Sequence, residues 1–144
     1  MISIKNTIFY SEVLKELNYH FGDFYFFEGF VVSEIKEGVN FSWDYAKIVI
    51  HEVSQYYNTK GKEIVYLSNR IHNYNVKPVD WLKYTMHAFK LKGYGIVVNS
   101  NVGRKNALFE SIFIPTRFKT FTSTLDGIQW AAQINEVDEV KKKK

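Results

Sequence analysis

The sequence predicts a single α/β domain on a mixed, mostly parallel sheet, with elements in the order β-β-α-β-α-β-α-β-α. Three observations predict it. Apolar runs of strand length alternate with segments of helical periodicity. A chain of 144 residues with 46% hydrophobic content suits one core. Strands separated by helices of this length require parallel neighbours, with the helices covering the sheet. An opening hairpin adds one antiparallel edge.

Residues 1–20 have mixed periodicity and are expected as an N-terminal arm. Phe24-Tyr25-Phe26-Phe27 and Phe30-Val31-Val32-Ser33-Glu34-Ile35 then read as two strands joined by Glu28-Gly29. Their aromatic and β-branched residues suit a pleated, half-buried surface. Gly38 closes the second strand. Ser42 offers an N-cap and Asp44 a first-turn acid for a helix over 43–57. Ala46, Val49, Ile50, Val53 and Tyr57 form its apolar stripe.

Lys60-Gly61-Lys62 is a turn, and Ile64-Val65-Tyr66-Leu67 suits a strand covered on both faces. After a loop over 68–77, Pro78 opens a second helix. Val79, Leu82, Met86 and Phe89 are its buried stripe. Gly93 and Gly95 bracket the turn into a strand over 95–99. A third helix follows over 102–113 and ends before Pro115. Arg117-Phe118-Lys119-Thr120-Phe121 alternates as a strand does. Ser123 or Thr124 caps a last helix carrying Asp126, Leu125, Ile128 and Ala132. The domain is expected over 21–134, followed by a charged, disordered tail over 135–144.

Charge and composition narrow the function. Nineteen Lys and Arg face 15 Asp and Glu, but four of the nineteen are Lys141, Lys142, Lys143 and Lys144. The body before them is neutral, so specific nucleic-acid binding, which needs a basic folded surface, is not expected. The lysines read as a solvated end or as a tether to RNA or anionic lipid. With no Cys there is no disulfide, thiolate metal site or Cys nucleophile. No basic segment followed by an apolar one marks a signal peptide, and no apolar run reaches the roughly 18 residues of a membrane span. Cytoplasmic placement is the expectation.

With this element order the chain resembles the STAS-like (SpoIIAA-like) superfamily. That fold is shared by anti-sigma-factor antagonists and CRAL-TRIO lipid-binding domains. The resemblance extends to small uncharacterised bacterial proteins of the same organisation. It rests on residues 31–38 followed by Phe41-Ser42-Trp43, on Tyr66-Leu67-Ser68-Asn69-Arg70 with Tyr74 and Pro78, and on Phe121 followed by residues 126–130. It spans residues 20–134 and implies the fold rather than an activity. Phosphorylatable antagonists place a Ser at the start of the helix after the third strand. Here that stretch, Ile71-His72-Asn73-Tyr74-Asn75-Val76-Lys77-Pro78, holds no Ser or Thr, so the phospho-switch does not carry over.

The chemistry-bearing motifs are few. His20, His51, His72 and His87 form no metal-ligand pair, and no metal or cofactor is expected. There is no nucleophile elbow and no phosphate-loop pattern. Two polar loops remain, 68–75 and 99–106, both expected at the carboxyl ends of strands, where such sheets bind ligands. They can be plain turns, since Asn and Gly suit turns. They can also form an anion site from Asn69, Arg70, His72, Asn99, Asn101, Arg104 and Lys105. Arg104 and Lys105 fall in the first turn of a helix, where cations oppose the macrodipole. Trp81 and Tyr84 lie off their helix's apolar stripe, either as an interface or packed beneath a loop.

These features point to a non-catalytic regulatory or protein-interaction module, with a protein partner or self-association. The alternative is a domain binding a small anion or apolar molecule. An enzyme of unrecognised type would have His72 as its candidate group.

Overall fold

The computed structural model describes residues 1–77, 79, 90–114 and 116–143, excepting the side chains of 135–143. Apart from Val79, the helix expected from Pro78 to Phe89, with Trp81 and Tyr84, lies outside the described residues.

Two short 3-10 turns, Ile4–Asn6 and Ile8–Glu12, open the chain. Strands β1 (Lys15–Tyr19), β2 (Gly22–Phe27) and β3 (Phe30–Ile35) follow as an antiparallel meander. Short β4 (Asn40–Phe41) leads into α1 (Trp43–Tyr57), and β5 is Val65–Asn69. Short β6 (Asn75–Val76) pairs with β4. Then come β7 (Gly93–Val97), α2 (Asn101–Ser111), β8 (Arg117–Phe121) and α3 (Thr124–Lys143). The main sheet has six strands in the order β1-β2-β3-β5-β7-β8, with β3, β5, β7 and β8 parallel.

The sheet is covered on both faces. Tyr25, Phe27, Phe30, Val32, Val65, Leu67 and Val97 meet Ile128, Ala131 and Ile134 of α3 on one face. Phe24, Phe26, Val31, Ile35 and Ile64 meet Ala46, Val49 and Val53 of α1 on the other, where Tyr94 and Ile96 also meet Ala107 of α2. Every residue of β3 and β7 is therefore buried, which is why these strands lack a polar-apolar alternation. The α1 stripe is buried through Ala46, Val49 and Val53, as its spacing predicts. Ser42 stands at the N-cap position, but its side chain makes no capping bond. Asn58, at φ 52°, ends the helix in the left-handed conformation.

The structure differs from expectation in four places. Residues 1–20, expected as an N-terminal arm without assigned elements, pack on the domain: Ile4 is fully buried and Lys15–Tyr19 is the edge strand. An edge strand is half wet on both faces, so Lys-Glu-Leu-Asn-Tyr carries no strong alternation. The strand expected over 95–99 is Gly93–Val97, so both glycines lie within it rather than in a turn. β5 runs on to Asn69, taking Ser68 and Asn69 out of the expected loop. Finally, α3 continues to Lys143 through the expected tail, whose Glu, Val, Asp and Lys residues are compatible with a helix.

Candidate functional site

Because β3, β5, β7 and β8 are parallel, their carboxyl ends share one edge of the sheet. Ligands of open α/β sheets bind at that edge. Consecutive strand residues point to opposite faces, so the end of β5 sends Asn69 toward α3 and Ser68 toward α1. A separate polar cluster surrounds each.

On the α3 face the cluster is built on Glu34, which is 4% exposed. One carboxylate oxygen accepts the Ser3 hydroxyl at 2.7 Å; the other accepts the Ile4 N–H and an Asn69 amide N–H, both at 2.8 Å. Asn69 also donates to Ile2 O at 3.0 Å. The Thr124 hydroxyl accepts from Ile2 N–H at 3.2 Å and shares its proton between Ile2 O (3.1 Å) and Asn69 Oδ1 (3.0 Å). Ser123, not Thr124, is thus left to cap α3, accepting from Asp126 N–H at 3.4 Å. The chain's own Ile2-Ser3-Ile4 occupies this part of the edge.

On the α1 face, Arg70 follows β5 and meets Glu110 of α2 in a two-point ion pair of 2.6 and 2.8 Å. Its Nε donates to Ser68 Oγ at 3.1 Å, and its guanidinium lies 5.2 Å from the Tyr74 ring centroid. Ser68 Oγ and Tyr74 OH are 2.8 Å apart, and Tyr66 OH donates to Ser33 Oγ at 2.6 Å. Burial opposes the charge on Arg70, but the oxygens of Tyr74 and Glu110 facing it hold its pKa above the ordinary arginine value. Burial also raises the pKa of Tyr66, Tyr74 and Tyr94. These phenols keep their protons at neutral pH, and Tyr66 donates its own to Ser33.

The residues expected to form one anion site are therefore dispersed. Arg70 is neutralised by Glu110, and Asn69 is saturated by Glu34, Ile2 and Thr124. A buried guanidinium needs a carboxylate partner more than an exposed loop needs an anion. His72 is half exposed, with Nδ1 4.0 Å from Glu37. Asn99, Asn101 and Lys105 are exposed. Arg104 lines a groove of about 440 Å³ between β8 and α3, together with Lys119 and Trp130. Among the described residues no group of three or more His, Asp or Glu is placed to hold a metal.

Sequence reasoning missed Glu34 and Glu110 as the organising carboxylates. A signal for each was present. Glu34 is a charge within an apolar strand, and Glu110 follows Ala107 on the inward stripe of α2. A charge at such a position is usually paired. Lys119 and Trp130 had no such signal, because their meeting depends on how α3 lies over the sheet.

No helix among the described residues is long and apolar enough to cross a membrane. No protein-family model and no curated protein matches the chain. Among solved structures it is similar to an uncharacterised protein of the DUF3478 family from Shewanella loihica PV-4, which has a SpoIIAA-like fold. The identity is 18% and the TM-score 0.54, over 81% of this chain and 90% of that one. The six-stranded, mostly parallel sheet agrees with that likeness, and the chain has the SpoIIAA-like fold.

Proposed function

We propose that this chain is a non-catalytic protein-interaction module of the STAS-like type, and that it pairs with a second copy of itself through the outward face of α2. The observation that carries this reading is the inversion of that helix. Its inward residues include Ala107 and the carboxylate of Glu110. Its outward stripe is Val102, Lys105, Leu108, Phe109 and Ile112, with Val102 70%, Phe109 55% and Ile112 73% exposed. A soluble helix normally places its larger apolar residues inward, and contiguous exposed apolar surface marks an interaction site.

Charge favours a second copy. No acidic residue occupies the first turn of α2 and no basic residue its last, so neither end of its macrodipole is compensated by a side chain of the helix itself. In an antiparallel two-fold pairing, each amino end would lie beside the partner's carboxyl end, so the two macrodipoles would compensate each other. One helix pair buries less than about 1,200 Å², so the dimer is weak and depends on concentration. The dispersal of the polar edge residues into structural pairs supports a non-catalytic role.

Sedimentation velocity over a concentration series tests the reading. The parent chain should pass from monomer to dimer, and Phe109→Ser/Ile112→Ser should remain monomeric. A parent chain that stays monomeric at its highest soluble concentration would contradict the proposal, as would a double variant that dimerises equally well.

A further inference from the structure

The groove between β8 and α3 brings together three elements that are distant in sequence. Arg104 comes from the first turns of α2, Lys119 from β8, and Trp130 from α3. Neither cation is in an ion pair among the described residues. Glu110, the acidic residue of the same helix, is held by Arg70 at 2.6 and 2.8 Å. Asp126 lines the groove but makes no ion pair within 4.0 Å. Two cations and one carboxylate leave the groove with a net charge of one positive unit. Its wall is aromatic: Phe121 and Trp130 have ring centroids 5.4 Å apart, and Lys119 Nζ lies 5.5 Å from the centroid of Phe121. Hydroxyls of Thr120 and Thr122 and amides of Gln129 and Gln133 complete the lining.

This is a recognisable combination. A concave site of a few hundred Å³ that sets two aromatic rings among seven polar or charged side chains suits a small, polar organic ligand. The open end of the groove adjoins the carboxyl end of β8, on the edge where such sheets take ligands. The net positive charge calls for an anion, and a site one unit positive matches a monoanion better than a dianion. The guanidinium of Arg104 provides a fork suited to a carboxylate. Trp130 and Phe121 favour a flat ring beside that group, and the amides and hydroxyls suit a ring with a polar heteroatom.

We propose that this groove binds a heteroaromatic carboxylate, its ring against Trp130 and its carboxylate between Arg104 and Lys119. Dimerisation through the outward face of α2 leaves it open, since Arg104 lies off that stripe.

Amide and indole N–H chemical shifts, followed while nicotinate or indole-3-acetate is titrated in, test the site. Saturable shifts should appear at Arg104, at residues 119–122 and at the Trp130 indole. Nicotinamide and indole-3-acetamide, which keep the ring and lose the charge, should bind at least about tenfold more weakly, as should acetate, which keeps the charge alone. Arg104→Ala/Lys119→Ala, two exposed positions, should weaken nicotinate and indole-3-acetate by about tenfold or more while other shifts are kept. Two outcomes overturn the proposal: no saturable shift in the groove with either carboxylate, or equal binding by the amides, acetate or the double variant.

Discussion

Gly95 of β7 lies directly beneath Trp130 of α3: a β-carbon at position 95 would stand 2.9 Å from the indole ring and 2.9 Å from Leu67 Cδ1. Gly127 of α3 makes the reciprocal approach, since a β-carbon there would stand 3.0 Å from Leu67 and from Val97. The helix can settle this close only because both positions lack a side chain. Gly95→Ala should therefore destabilise by about 1–3 kcal/mol through overpacking. Urea unfolding measures this, and Trp130→Leu in the same chain should recover part of the loss.

Removing one member of the Arg70–Glu110 pair leaves the other charged and buried. Glu110→Ala should cost about 3–5 kcal/mol, whereas Arg70→Met/Glu110→Leu should lie much closer to the parent protein. Denaturant midpoints of the single and double variants decide it. A single variant as stable as the double would show that the pair is solvated rather than buried.

The N-terminal segment is held by Glu34, Asn69 and Thr124 rather than by a long strand ladder. Glu34→Leu would leave the Ile4 N–H and one Asn69 N–H without their acceptor, at a cost of about 1–3 kcal/mol. Hydrogen exchange in residues 1–13 should accelerate well beyond exchange in β5 and β7. Uniform acceleration across the chain would instead place the segment within the cooperative core.

Alkaline pH should unfold the protein. Tyr66, Tyr74 and Tyr94 have pKa values raised by burial above the value near 10 that they hold in an unfolded chain. Between the two values the unfolded state has lost protons that the folded state keeps. Stability is thus full below about pH 10 and falls as pH rises toward the folded-state values. Phenolate absorbance should show these tyrosines ionising together with the loss of structure. Smooth ionisation of all ten tyrosines near pH 10 with the fold intact would contradict this.

The sheet and its helices were largely legible because burial leaves a periodic trace. The Ala46-Val49-Val53 stripe marks α1, and Phe30 through Ile35 mark a strand covered on both faces. The edge strand Lys15–Tyr19 was not, since half-wet positions carry little pattern. Gly93 and Gly95 misled for a specific reason. Their lack of side chains serves the approach of Trp130, a tertiary demand that local sequence cannot distinguish from a turn. The candidate anion site failed in the same way. Arg70, Arg104 and Lys105 looked alike in sequence, yet 40 positions beyond Arg70 stands the carboxylate that neutralises it. Arg104 instead lines a groove with Lys119 and Trp130.

The absence of cysteine makes the α2 pairing directly measurable by disulfide trapping. In an antiparallel two-fold pairing the centre of the outward stripe meets itself and its ends meet each other. Leu108→Cys should therefore give a covalent dimer under mild oxidation, well above an exposed control such as Lys62→Cys. Val102→Cys alone should not, but a mixture of Val102→Cys and Ile112→Cys should give the mixed dimer. Trapping of Leu108→Cys no better than the control, or efficient self-trapping of Val102→Cys, would contradict the account.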